Sequence, residues 1–183
     1  MMGERILVST FLIGFMGVGK TTIGTALAKH WDCPVFDTDQ LIEKEQNRSI
    51  NQIFSEKGEA YFRDVEVDML KVVSKKSGVI TTGGGIILRE ENRLLLKNSG
   101  RSIFLTCEPH VILERLKGDD TRPVIKEKNA ADIVALFKKR LPLYKESANI
   151  IIDTTFLSVE EVVHEINKRI KKGNYGNNSK QFF

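Results

Sequence analysis

Residues 14–22 read GFMGVGKTT, an instance of G-x-x-x-x-G-K-[ST]. No other stretch restricts the fold as much, because this pattern works only where a strand feeds a glycine turn that opens a helix. Both flanks comply: the apolar run RILVSTFLIGF precedes it and KTTIGTALAKHW follows with helical composition. In that setting the glycines let backbone N–H groups turn inward and cradle phosphate oxygens. Lys20 reaches the β- and γ-phosphates, Thr21 offers a hydroxyl to Mg²⁺, and the helix N-terminus adds partial positive charge. Gly17, Val18, Gly19, Lys20, Thr21 and Thr22 are therefore the expected nucleotide-binding residues, and a nucleoside triphosphate with Mg²⁺ is the expected ligand.

The order of elements agrees. After the loop and its helix come a short strand, CPVFDTD, and the helical segments LIEKEQ and SINQIFSEK. A longer helix follows in GEAYFRDVEVDMLKVVSKK, with Phe62, Val65, Met69, Val72 and Val73 at helical spacing. GVITTGGG reads as a strand running into three glycines, ENRLLLKN as a helix, RSIFLTC as a strand, and PHVILERLK as a helix opened by Pro109. NAADIVALFKKRLPLYKES reads as a helix bent near Pro142, ANIIIDT as a buried strand. The closing helix SVEEVVHEINKRIKKG carries a Ser158/Glu161 capping box, Gly173 just past its end, and the stripe Val159, Val162, Val163, Ile166 and Ile170. Strands that alternate with helices give a parallel sheet covered on both faces, an α/β fold with its ligands beyond the carboxyl ends of the strands. One domain over residues 1–172 is expected, followed by a polar, disordered tail at 173–183.

Composition narrows the classes further. With 41% apolar and 28% charged residues the 183-residue chain has a globular balance. ILVSTFLIGFMGVG is too short to span a membrane and runs into the lysine of the loop, so a cytoplasmic protein without a membrane partner is expected. Cys33 and Cys107 fit no metal or redox spacing, and His30, His110 and His164 are scattered singly. Much of the excess behind the net charge of +4 lies in INKRIKKG, where cations suit a helix C-terminus, so no nucleic-acid partner is expected.

FDTD at 36–39 closes the second strand with Asp37 and Asp39 two apart, which in extended backbone puts both on one side. Such a pair is either a solvated turn with Asp39 capping the next helix or a site where a cation or donors sit between the acids. Beside a phosphate loop the second reading gains: Asp37 faces the metal through water, and Asp39 points toward the phosphate acceptor. Arg63, Arg122 and Arg140 lie near a helix start, in the charged loop GDDTRPVIKEKN, and near a helix bend. Arginine grips carboxylate or phosphate bidentately, although each taken singly is more often a surface residue. Glycines 83–85 allow close backbone approach to a ligand.

Taken together, GFMGVGKTTIG, FDTDQLIE, SINQIFSEKGEAYFRDVE, TTGGGIIL, TRPVI and RLPLY resemble the shikimate kinase family in order and spacing, from about residue 10 to 170. The resemblance implies a five-stranded parallel sheet of order 2-3-1-4-5 with a mobile lid, here about 118–128. It implies transfer of the γ-phosphate of ATP to the 3-hydroxyl of shikimate, on the route to chorismate and the aromatic amino acids. It also assigns roles. Asp39 matches the carboxylate that holds the shikimate hydroxyls, and Asp37 the acid near Mg²⁺. Arg63 and Arg140 match the pair that grips the shikimate carboxylate, with Gly84 giving a backbone contact. Arg122 matches the lid arginine that closes onto the phosphates, and Arg115 one that stacks on adenine. Where the family usually has two leucines after Arg-Pro, this chain has Val124 and Ile125. The expected partners are shikimate and ATP, and the expected state is a monomer. Two rivals stand beside this reading: a kinase of the same fold for another small hydroxy acid such as gluconate, and a non-catalytic sensor that binds shikimate or ATP.

Overall fold

The apolar run ahead of the glycine loop becomes β1 (Ser9–Ile13), all five residues of which are buried. It lies at the centre of the sheet in a computed structural model that describes residues 8–116 and 129–172. β2 (Val35–Asp37), β3 (Gly78–Thr81), β4 (Arg101–Thr106) and β5 (Ile150–Asp153) complete it in the order β2-β3-β1-β4-β5, every pairing parallel. Phe11 faces Ile80 across one side of β1, and Leu12 faces Ile103 across the other. β1 leads toward one edge of the sheet and its neighbour β4 toward the other. The chain therefore parts above the end of β1, the place where open parallel sheets hold their ligands.

The helices follow their sequence signals. α1 (Lys20–Trp31) packs against β3 and against the last helix, α7 (Val159–Lys172). α2 (Thr38–Gln46) precedes α3 (Ile50–Val73), which opens with a Ser49/Gln52 capping box. Gly58 (φ 82°, ψ 168°) interrupts α3, so SINQIFSEK and the segment from Gly58 are two helical runs, as their sequences predict. A 3₁₀ turn (Ile86–Leu88) and α4 (Glu90–Asn98) follow the glycines, and α5 (Pro109–Leu116) follows β4. α6 (Ala130–Ser147) contains Pro142 and packs against α4 and the 3₁₀ turn. On α7, Ser158 and Glu161 form the expected capping box, each backbone N–H meeting the other side chain at 2.8 and 3.2 Å.

Three expectations change. β5 is half-exposed rather than buried, with Ile151 41% exposed, because it forms an edge of the sheet and alternates its faces. Val72 is 55% exposed on α3, while Leu70 and Glu66 turn inward with Phe62, Met69 and Val73. The helical period places position 72 off the buried stripe once the stripe runs through 66, 69, 70 and 73. Asp37, not Asp39, caps α2, since the helix begins at Thr38 and only the residue before it has extended backbone. The expected lid at 118–128 with Arg122, Val124 and Ile125, and the tail at 173–183, lie outside the described residues.

Candidate functional site

The loop between β1 and α1 carries Gly17 and Gly19 at φ 79° and 91°, left-handed values that let successive N–H groups turn the same way. No side chain caps α1 and no acid stands in its first turn, so its positive end faces the loop. Lys20 is only 8% exposed; its Nζ lies under the loop and donates to the carbonyls of Gly14 and Phe15 at 2.8 and 2.9 Å.

Asp37 ends β2 one strand from β3 and serves two structures at once. Its Oδ1 accepts from the N–H groups of Asp39 and Gln40 at 3.0 and 3.2 Å, fixing the start of α2. Its Oδ2 accepts from the Thr81 hydroxyl at 2.7 Å and lies 3.5 Å from the Thr21 hydroxyl. Thr21 and Asp37, predicted as the metal pair, are thus neighbours: a hydroxyl and a carboxylate, both hard oxygen donors of the kind Mg²⁺ takes.

Asp39 stands one residue into α2 and points toward the glycine turn after β3. A Cβ placed on Gly83 would lie 2.7 Å from Asp39 Oδ1 and 3.2 Å from Glu66 Oε1. One placed on Gly85 would lie 2.4–2.6 Å from the Arg63 guanidinium. At two of the three glycines, then, the side chains of Asp39, Glu66 and Arg63 occupy the space a Cβ would need. Gly84 Cα faces the loop backbone at Met16, and its carbonyl accepts from the Tyr144 hydroxyl and, at 3.4 Å, from Arg140 Nη1. The glycine turn thus ties the phosphate loop to α6.

Arg63 and Arg140, predicted as a carboxylate-gripping pair, converge on this turn from α3 and α6. Arg63 is not a loose cation. Its Nη1 meets Glu66 Oε2 at 2.8 Å, and its Nε and Nη2 meet Glu59 Oε1 at 3.2 and 3.0 Å. Phe62 and Phe54 lie within 5.1 and 5.9 Å of it, and Arg140 lies 5.9 Å from the Phe15 ring. Burial works against the Arg63 charge, but Glu66 and Glu59 more than offset it, so its proton is held more firmly than usual. Arg140 Nε is buried and has no hydrogen-bond partner among the described residues.

Glu66 and Tyr144 escaped the reading of the sequence. Glu66 is fully buried; burial pushes its carboxyl from 4.5 up to about 7, Asp39 adds to the rise, and Arg63 and Arg140 oppose it. Its position three residues after Arg63 on one helix was the available signal. Tyr144 is fully buried and stacks on Phe104 at 5.0 Å. Burial raises its hydroxyl above the usual tyrosine value, with Arg140 opposing. Four residues after Arg140 on α6, it was signalled by the same helical spacing.

Arg115, at the end of α5, lies apart from this cluster. It lines a cavity of about 270 Å³ with Val18, Gly19, Thr22 and Leu157, beside the start of α1. A larger open cleft of about 590 Å³ crosses the β5–α7 edge, where the four acids Asp153, Glu160, Glu161 and Glu165 outnumber Arg169 and His164. That acidic lining would repel phosphate, and no predicted site residue borders it. The arrangement near the loop is the opposite: an anion cradle, a carboxylate and two arginines share one end of the sheet. It can hold a polyphosphate beside a small anionic, hydroxylated molecule.

Comparisons with known proteins point the same way. A family model described as shikimate kinase matches residues 16–171. The shikimate kinase of Bacillus cereus (strain AH187) is 46% identical over 164 residues, covering 90% of this chain and 99% of that protein. The shikimate kinase from Acinetobacter baumannii, solved in complex with shikimate, superposes with a TM-score of 0.87 at 32% identity, covering 92% of this chain and 95% of that one. That from Aquifex aeolicus gives 0.81 at 37% identity, covering 93% and 100%. This chain belongs to the shikimate kinase family.

Proposed function

We propose that this chain transfers the γ-phosphoryl group of ATP to the 3-hydroxyl of shikimate, acting as a single kinase domain. The observation that carries the reading is the convergence of Asp39, Arg63 and Arg140 on the glycine turn that abuts the phosphate loop. Phosphoryl transfer asks a protein mainly for alignment and for positive charge where negative charge spreads. Each requirement has a candidate residue.

The loop amides from Gly17 to Thr22 and the Lys20 ammonium hold the β- and γ-phosphates of ATP. Arg115 borders the cavity suited to the base. Thr21 and, through water, Asp37 fit Mg²⁺, because their oxygens are adjacent and Asp37 is already committed to its cap and to Thr81. When bound there, Mg²⁺ would offset the negative charge of the phosphates. Arg122 is assigned to the phosphates by the family pattern alone.

On the acceptor side, Arg63 and Arg140 take the shikimate carboxylate, with Gly84 contributing backbone. The rigid mounting of Arg63 between Glu59 and Glu66 leaves it its outer N–H groups in a defined direction. A ring held at its carboxylate presents one hydroxyl to the γ-phosphorus. Asp39 orients that hydroxyl and receives its proton as the new O–P bond forms and the bond to the β-phosphate oxygen breaks, releasing ADP.

The test is ADP release in a coupled assay with ATP and Mg²⁺, run with shikimate, with gluconate and with no acceptor. Release that depends on shikimate alone is expected. Equal release with both acids, or with neither, would overturn the assignment of the acceptor.

A further inference from the structure

The transfer reaction uses Asp39, Arg63 and Arg140, and Glu66 enters it only as a mount for Arg63, through one of its two oxygens. Glu66 is the one fully buried acid among the described residues. Its Oε2 is ion-paired with Arg63, whereas its Oε1 is buried with no hydrogen-bond partner among them. A buried carboxylate oxygen left in that state is costly, and protonation is the ordinary relief.

The charged and titratable groups that face Glu66 come from three helices. α3 supplies Arg63, itself shared with Glu59; α2 supplies Asp39; α6 supplies Arg140 and the Tyr144 hydroxyl. Two arginines thus stand among three carboxylates before any ligand is counted. Glu66 Oε1 and Asp39 Oδ1 both lie within 3.2 Å of one point beside Gly83, so they face each other across the turn. A substrate carboxylate docking on Arg63 and Arg140 adds a fourth negative charge to that group. Glu59 is 59% exposed and its charge is hydrated, and Asp39 must stay ionised to take a hydroxyl proton. The buried acid with the idle oxygen is the one that gives way.

We propose that Glu66 is a positioning residue that takes up a proton from solvent as the acid substrate docks on Arg63 and Arg140. This rests on the acceptor assignment above. The proton settles on Oε1 and turns it into a donor facing Asp39, while Oε2 keeps Arg63 in place. No other bond changes. Acid binding is then coupled to proton uptake and weakens as pH rises, while ATP binding, on the far side of the glycine turn, is not.

The experiment is titration calorimetry of the full chain with shikimate from pH 6 to 8.5, in two buffers of different ionisation enthalpy. The expected result is uptake approaching one proton per shikimate at the alkaline end and little at pH 6. The dissociation constant should rise by up to about tenfold per pH unit above pH 7. E66Q should bind shikimate with no uptake and a flat pH profile. Should that variant fail to fold, the carboxyl resonances of glutamate-¹³C-labelled wild type decide: one signal titrating near neutrality should move to higher pH with shikimate. Binding with no uptake, or equal uptake in E66Q, overturns the proposal and leaves the acceptor assignment standing. No binding of shikimate under any condition overturns both.

Discussion

Gly85→Ala displaces the Arg63 guanidinium without straining the backbone. Gly85 has φ −99° and ψ 0°, which alanine adopts readily, so the backbone imposes no strain. The new methyl would sit 2.4–2.6 Å from Nη1, Nη2 and Cζ of Arg63, against an ordinary contact of 3.4 Å or more. Relief requires the guanidinium to move by about 1 Å. Because it is the end of a long side chain, the steric part of the move costs about 1 kcal/mol or less, and loosening Arg63 from buried Glu66 adds a stability loss that the unfolding curve reads separately. It does break the 2.8 Å contact with Glu66 and turns the outer N–H groups away from the direction shared with Arg140. Losing a charged hydrogen bond costs about 1.5–3 kcal/mol. That corresponds to a roughly 10- to 150-fold rise in KM for shikimate. The KM for ATP should stay within about twofold, since the atoms nearest the new methyl all belong to Arg63 and none to the loop or α1. Steady-state kinetics with each substrate varied in turn, beside a urea unfolding curve, checks this. An unchanged KM for shikimate, or equal rises for both substrates, would refute the placement of Arg63 at the acceptor carboxylate.

Asp39→Asn should keep ATP binding but lower kcat by about 10²–10⁴, the usual worth of a positioned acid or base; near-normal turnover would remove Asp39 from that role. Asp37→Ala should weaken Mg²⁺ dependence and also destabilise the chain by about 0.5–2 kcal/mol, because the same carboxylate caps α2. Stability and metal titrations together would separate the two effects. Stability should also depend on pH through Glu66. Its carboxyl sits near 7 in the folded chain against 4.5 ordinarily, so its protonated form favours folding. That contribution is full below about pH 4.5 and is lost as pH rises to about 7, a difference of about 3 kcal/mol. Urea unfolding of wild type minus Glu66→Gln across pH 5–8 should show it as a slope in the difference; parallel curves would contradict it.

Some of this protein is written locally. GFMGVGKTT specifies its own turn and the helix it opens, because Gly17 and Gly19 supply left-handed backbone and Lys20 reaches back to carbonyls of the same loop. The alternation of apolar runs and helical periods predicted a parallel α/β sheet, and the structure has one of order β2-β3-β1-β4-β5. That order was implied by family resemblance, since nothing in strand periodicity alone says which strand sits beside which. Capping boxes at Ser158/Glu161 were readable for the same local reason.

The candidate site was legible as a set of residues but not as an arrangement. Asp37 and Asp39 look equivalent in FDTD, yet the helix starts between them and sends one into the cap and the other toward Gly83. Arg63 reads as a free cation, but Glu66 and Glu59 hold it, and a buried acid betrays itself only by where a helix face turns. Tyr144 acquires its meaning from a carbonyl 60 residues earlier. Local chemistry determined that phosphate could be held and that acids and arginines were available. Which acid is buried, and which cation it restrains, was decided only when α2, α3, α6 and the glycine turn closed on one another, because burial and charge coupling depend on neighbours distant in the chain.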